Sequence, residues 1–383
     1  MQLPGRHRIR ACPLDGAFRV VKAPSTRQHT RPAANTAFGA SLSGLTFLRY
    51  FYWRLRGRPK GAVHMLTVLP SFVLNTIRLV CRLRLSGDRR PAIAIVIMER
   101  MGDIVAAEPI ARLARRHFPN ARIYWVTLAP YVSLPDSYPE VDHVVAVRCL
   151  TEWLLLQCFG LFNVVWDLHF NSYGCVRCGI SHIKPGVLPD HQNYFDYGNL
   201  LDVQCLAAGL PKLADGPVLT PPQAAVAAVD ALALPPRFIA IHCVSNDSDK
   251  DWPADKWREL VERILAADPA VTVVEVGLQP SVVTQDTARQ RALCGTLSIL
   301  ETAEVIRRAA LFIGIDSGPA HLANAVGTQG VILLGTLHRF RSYMPYSGGY
   351  AHGETATIVR ADGPVAGLPV DAAFAAVMAC FAI

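Results

Sequence analysis

From residue 92 to residue 335 the chain repeats one pattern twice, and that repetition narrows the possible folds more than any other feature. Continuous apolar runs stand at "AIAIVIM" (92–98), "ARIYWVT" (121–127), "VDHVVAV" (141–147) and "FNVVWDL" (162–168), with helical periodicity over 104–118. A stretch rich in proline and glycine, "GLPKLADGPVLTPPQ" (209–223), interrupts the series. It then restarts with "RFIAIHC" (237–243), a helix over 253–267, "VTVVEVG" (271–277), a helix over 302–310, "LFIGI" (311–315) and "GVILLG" (330–335). Unbroken apolar runs, as opposed to alternating ones, belong to parallel strands buried on both faces. Strands alternating with helices build a doubly wound sheet. The expected fold is therefore α/β, with two Rossmann-like doubly wound domains, 91–220 and 221–383, facing across a cleft. Ligands in such sheets sit beyond the carboxyl ends of the strands. The loops after residues 98, 168, 243, 277, 315 and 335 are the ones to read for function.

Charge separates this body from what precedes it. Residues 1–90 hold 17 Lys and Arg against two acids, Asp15 and Asp88; residues 91–383 hold 21 against 28. Residues 1–44 lack periodicity and read as disordered, or as translation from a start set too far upstream. Residues 45–90 read as a basic amphipathic segment for an anionic membrane surface, with a helical hairpin packed on the body as the alternative. Its longest uncharged run, Gly61 to Ile77, is shorter than the ~20 apolar residues of a spanning helix. No secretory signal is evident, and the basic segment carries no recognised nucleic-acid module, so no nucleic-acid partner is expected. The cysteines are spread singly apart from Cys175 and Cys178. That pair, near His182, is expected to pack as helical neighbours and not to bind metal, because no second CxxC follows at finger spacing.

Three loops carry chemistry. In "MERMGDIV", Asp103 opens a helix at the end of the first strand. It can serve as an N-cap, or as a carboxylate that takes a proton from an attacking hydroxyl in the cleft. In "CVSNDSDKDWPADKW" (243–257), Lys250 stands beside a helix start, where it can meet a phosphate oxygen or simply be solvated. In "IDSGPAHL", Pro319 fits the first helical position. Ser317 and Gly318 leave backbone N–H groups unobstructed at the positive end of the helix dipole. His321 follows in the first turn, as an anion neighbour or a packed helix residue. Neither GxGxxG nor GxxxxGK[ST] occurs, which disfavours dinucleotide binding and Walker-type hydrolysis.

With these residues in place, "DSGPAHLANAVGTQGVILLG" resembles the signature of glycosyltransferase family 9, the ADP-heptose lipopolysaccharide heptosyltransferases. So do "GDIVAAEPIARLARRHFPNARIYWV", "IHCVSNDSDKDWPADKWREL", "GTLSILETAEVIRRAALFIG" and "GTLHRFRSYMPY". The resemblance runs from about residue 91 to residue 350. It implies a GT-B fold, with acceptor on the N-terminal domain and donor on the C-terminal one. It implies inverting, metal-independent transfer without a cofactor, from a nucleotide sugar (ADP-heptose by resemblance) to a lipid-linked glycan, on the cytoplasmic face of a bacterial inner membrane. Asp103 then resembles the general base, Lys250 the residue that neutralises the diphosphate, and Asp316, Ser317, Gly318, Pro319 and His321 the donor loop. Departures from the family pattern lie in "HCVSNDSDKDWP", with Asp247, Asp249 and Asp251 around Lys250, and in "TLHRFRSY". The latter leaves Arg339 and Arg341 as phosphate contacts. "EVGLQPS" places Gln279 where the nucleoside passes. "DLHFNSYGCVRC" offers Asp167, His169 and Asn171 toward the acceptor. A same-fold transferase acting on protein or another polysaccharide, and a non-catalytic nucleotide-sugar-binding subunit, are the other functions such a chain can serve.

Overall fold

A computed structural model of the protein describes residues 59–175, 180–338 and 340–381, with the side chains of 59–65, 180–181 and 381 left undescribed. The expectations for residues 1–58, for Cys178 and for Arg339 lie outside the described residues.

The first described element is helix α1, Pro59–Val80, which runs on through a π turn at Cys81–Leu85. The N-terminal sheet follows. Its strands are β1 (Ala92–Val96), β2 (Arg122–Leu128), β3 (His143–Val147) and β4 (Val164–Asp167), all parallel, in the order β3-β2-β1-β4. The helical pattern over 104–118 is two helices, α2 (Met101–Ala106) and α3 (Glu108–His117). Pro109 explains the break. It cannot donate a helical hydrogen bond and disfavours helical geometry before it, so it falls in the first turn of a new helix. Helix α4 (Leu150–Gln157) packs beside α1, and a short antiparallel pair, β5 (Tyr173–Cys175) with β6 (Ile180–His182), projects beyond β4. Helix α5 (Leu200–Ala207) closes this half, capped by the Asn199 side chain.

After α6 (Gln223–Asp230) comes the second sheet: β7 (Phe238–His242), β8 (Thr272–Glu275), β9 (Gln290–Ala292), β10 (Leu311–Ile315), β11 (Gly330–Leu334) and β12 (Ala356–Arg360). Its order is β12-β11-β10-β7-β8-β9, again parallel throughout. Both orders reverse direction at the first strand of their half, which puts a switch point at the ends of β1 and β7. Helices α7 (Ala254–Ala267), α8 (Ile299–Arg308), α9 (Gly318–Val326) and α10 (Val370–Phe381) cover the faces. Helix α8 starts on a capping box in which Ser298 and Glu301 satisfy each other's backbone N–H. One apolar cluster runs unbroken from Ile104 and Ala107 of the first half to Ala320 and Ala323 of the second, so α2 and α9 meet across it.

Candidate active site

Two helix starts face one another. Helix α2 begins at Met101-Gly102-Asp103, just past β1, and α9 begins at Gly318, just past β10. Both glycines allow the approach. A Cβ on Gly102 would fall 2.7 Å from Cδ2 of His321, and one on Gly318 would overlap the thioether methyl of Met101. His321 is a buried ring held against Tyr346 at 4.8 Å, whereas the end of Met101 can swing away. Gly102→Ala is therefore expected to lower stability by about 1–3 kcal/mol, and Gly318→Ala by less than about 1 kcal/mol. Urea unfolding midpoints check the contrast; equal losses would mean that the two starts do not meet as described.

The start of helix α9 has the polarity that suits an anion. Ser317 is its extended N-cap, Pro319 lies in its first turn, and Gly327 ends it at φ 76°. Among the described residues, the Ser317 hydroxyl and Nδ1 of His321 are buried without a hydrogen-bond partner. Two unsatisfied polar atoms at one helix N-terminus are costly unless a ligand completes them.

Asp316, 5% exposed, is the hub beside that start. Lys250 Nζ donates to its Oδ2 at 2.6 Å, the Tyr343 hydroxyl donates to the same oxygen, and His321 Nε2 lies 3.7 Å from Oδ1. Burial pushes the Asp316 carboxyl up, but the Lys250 ammonium and His321 outweigh it and hold it well below the usual carboxylate range. Lys250 is shifted the other way: burial favours the neutral amine, and Asp316 overrides it and raises the pKa. Both shifts describe one ion pair, ionised at neutral pH. The space walled by Lys250, Asp316, Gly335, Thr336 and Tyr343 opens at the carboxyl ends of β10 and β11.

The acids crowding Lys250 in the sequence have other tasks. The Asp247 carboxylate accepts from the Asp249 N–H and caps the 3-10 turn Ser248–Lys250, and the Asp251 carboxylate accepts from the Ser245 N–H at 2.7 Å. Trp252, buried against Trp257 with ring centroids 5.2 Å apart, donates Nε1–H to the Leu368 carbonyl. This loop is thus stapled at both ends, and Lys250 is aimed at Asp316.

Asp103 lies on the opposite wall, its backbone carbonyl accepting from Gln204 Nε2 of α5 at 3.0 Å. Burial raises its pKa above the ordinary 3.8, while His321 and Lys250 pull it back. Those opposing influences place it within electrostatic reach of the second-half cluster. Glu99, four residues earlier, is pushed up to about 8 by burial and by the charge of Asp103. Tyr194 shares the site: burial raises its phenol, and Asp103 and Asp316 add to the shift. Its ring stacks on Phe170 at 4.8 Å and meets Phe340 of the other half edge-on at 4.8 Å. Sequence reading missed Glu99, Tyr194 and Tyr343. The signal for Tyr343 was its place in "RFRSYMPY", in the loop after β11.

The remaining expected residues scatter. Gln279 is exposed beyond Gly277, and Arg341 is exposed, its backbone N–H donating to Asp196. Asp167 and His169, 8% and 1% exposed, face the interior and not the open cleft. His169 Nδ1 meets Asp167 Oδ1 at 2.7 Å, and its Nε2 accepts the Met98 N–H at 2.9 Å, so the proton sits on Nδ1. Lys184 Nζ donates to the carbonyls of Asp167, His169 and Ala207, and Asn171 Oδ1 accepts the Lys184 N–H. This network fixes the loop that carries Glu99 and, beyond it, Asp103. Cys175 is buried at the end of strand β5 and not on a helix as expected, and among the described residues no group of three or more His, Cys, Asp or Glu is arranged to hold a metal ion.

Comparison with known proteins bears on this geometry. Residues 209–352 match the model of glycosyltransferase family 9 (heptosyltransferase). Among solved structures, the chain is similar to a glycosyl transferase family 9 protein from Veillonella parvula DSM 2008, at TM-score 0.59 and 15% identity, over 76% of this chain and 97% of that one. It is similar to ADP-heptose lps heptosyltransferase II of E. coli at TM-score 0.58 and 17% identity, over 76% and 98%. For E. coli heptosyltransferase WaaC with ADP the values are 0.52 and 15%, over 76% and 99%. At such identities the likeness is one of fold, and it is the GT-B fold expected above. No curated protein sequence matches the chain.

Proposed function

We propose that this chain, a family 9 glycosyltransferase by the match over residues 209–352, moves a heptose-type sugar from a nucleoside diphosphate, with ADP as the nucleotide, to a hydroxyl of a lipid-linked glycan at the cytoplasmic face of the membrane. The observation that carries the reading is the pairing of an anion-receiving helix start at Ser317–Gly318, with Lys250 beside it, and a carboxylate at Asp103 on the facing helix start.

The chemistry follows from those positions. The acceptor hydroxyl attacks the anomeric carbon from the side opposite the diphosphate, so the configuration inverts. Asp103 takes the hydroxyl proton as the new C–O bond forms. The bond to the diphosphate breaks, and the charge that gathers on the departing phosphate is met by Lys250 and the N-terminus of α9. Asp316 and Tyr343 keep Lys250 in place before the donor arrives. Charge neutralisation by Lys250 and the helix dipole takes the part a divalent ion plays elsewhere, so the reading is metal-independent and needs no cofactor.

A thermal-shift panel tests it. ADP and ADP-sugars at a hundredfold excess over Kd are expected to raise the unfolding midpoint by a few degrees, with or without EDTA. UDP- and GDP-sugars are expected to leave it unchanged. Stabilisation by none of them would overturn the donor assignment, and stabilisation lost on chelation would overturn metal independence. Tight ADP-sugar binding without transfer to any glycan would favour a non-catalytic subunit.

A further inference from the structure

Helix α1 presents two apolar faces, only one of which the described residues cover. Val68, Leu79 and Leu83 are buried in the cluster beneath the N-terminal sheet. On the same side Asn75 donates to the Ala146 carbonyl at 2.8 Å and to Glu152 at 2.7 Å, and Ser71 donates to Glu152 at 2.8 Å. The opposite face carries Leu66 (70% exposed), Leu69, Val73 (50%), Leu74 and Ile77 (55%). At 100° per residue these five fall within one stripe along about three turns. Phe159, 52% exposed just past α4, has its ring 5.9 Å from Phe72 on the flank of α1. A continuous exposed stripe of this size marks an interaction surface.

Charge identifies the occupant. No acidic residue occurs from Pro59 to Gly87, while Arg78, Arg82 and Arg84 edge the stripe at its C-terminal end and Arg54, Arg56, Arg58 and Lys60 precede it in sequence. An apolar stripe framed by cations alone matches an anionic lipid surface, with acyl chains under the leucines and headgroups against the arginines. We propose that α1 lies flat on anionic lipid through its Leu66–Ile77 face while its other face stays docked on the N-terminal sheet.

Crossing the bilayer is the other use of such a helix, since Leu66–Leu85 is long and apolar enough by length and composition. The docked face argues against it. Spanning would pull Asn75 and Ser71 off Glu152, which is 0% exposed, and strand its carboxylate in the interior. It would also break the bond from Arg122 to the Arg82 carbonyl at 2.7 Å. Deleting residues 1–90 is for the same reason a poor test of membrane binding, because it uncovers the cluster beneath α1.

The full chain is sedimented with vesicles of phosphatidylglycerol and of phosphatidylcholine. It is expected to bind the first strongly and the second weakly, with binding that falls as salt rises. The combined variant Leu69→Glu, Val73→Glu and Ile77→Glu is expected to lose at least about tenfold in partitioning while keeping the wild-type thermal midpoint, because all three side chains face outward. A Leu69→Ser, Val73→Ser, Ile77→Ser variant covers the case in which the glutamates perturb folding. Vesicle binding that the variants leave unchanged overturns the proposal, as does a wild-type chain that stays in the supernatant. A wild-type dimer that the variants dissociate, without vesicle binding, assigns the stripe to a second copy instead. Retention in membranes through alkaline extraction would mean that the helix spans. None of these outcomes depends on which sugar is transferred.

Discussion

Replacing Asp103 with Asn is expected to lower turnover by about a thousandfold while leaving ADP affinity within about twofold of wild type. The substitution keeps shape and removes only the proton-accepting charge, and the seat proposed for the nucleotide lies on the other wall, at Lys250 and the start of α9. The pH profile supplies a second readout. A base works deprotonated, so kcat/KM rises as pH passes upward through its pKa. Burial raises that pKa, with His321 and Lys250 limiting the rise, so the acid limb is expected above the ordinary 3.8 and is expected to vanish in the variant. Turnover at the wild-type rate in Asp103→Asn, or an unchanged acid limb, would reassign the carboxylate to helix capping.

The second large effect is at Lys250. Lys250→Met is expected to cost about 10²–10³-fold in turnover, the scale of losing one fixed charge at a developing anion. It is also expected to cost about 3 kcal/mol of stability, because the buried Asp316 carboxyl group loses its cation. The two losses separate in the double variant Lys250→Met, Asp316→Asn. Stability should largely return because no unpaired charge remains, while activity should not, because the diphosphate still lacks its partner. Recovery of activity along with stability would make Lys250 a scaffold residue. The ion pair also has a pH signature. Since the Asp316 pKa is depressed on folding, its contribution is complete above 3.8 and is lost only as pH falls below that value toward the folded pKa.

How much of this was legible in the sequence follows from what each feature depends on. The strands of both sheets could be read because a parallel strand buried on both faces is a continuous apolar run, as in "AIAIV" and "LFIGI". Strand β9, "QRA", is three half-buried residues at a sheet edge, and β12 is half-buried or exposed after its first residue; neither carries that signal. The break between α2 and α3 falls at Pro109 but the pattern over 104–118 reads as one helix, since the apolar period continues across it. At the candidate site, Asp103, Lys250 and the 316–321 turn could be named as candidates because each sits on its own short motif. Tyr343 and Glu99 were not, because their roles arise when segments far apart in sequence meet around Asp316 and Asp103. Asp167 and His169 show the converse. A polar strand end looks like a ligand contact until the carbonyls and amides it must satisfy are visible.

The most direct test of the whole account is a crystal structure with ADP bound. The β-phosphate is expected within hydrogen-bonding distance of Lys250 Nζ and of the backbone N–H of Gly318, with its open oxygen directed toward Asp103 across the space of one sugar ring. A nucleotide seated away from the α9 start, or one whose β-phosphate points away from Asp103, would contradict it.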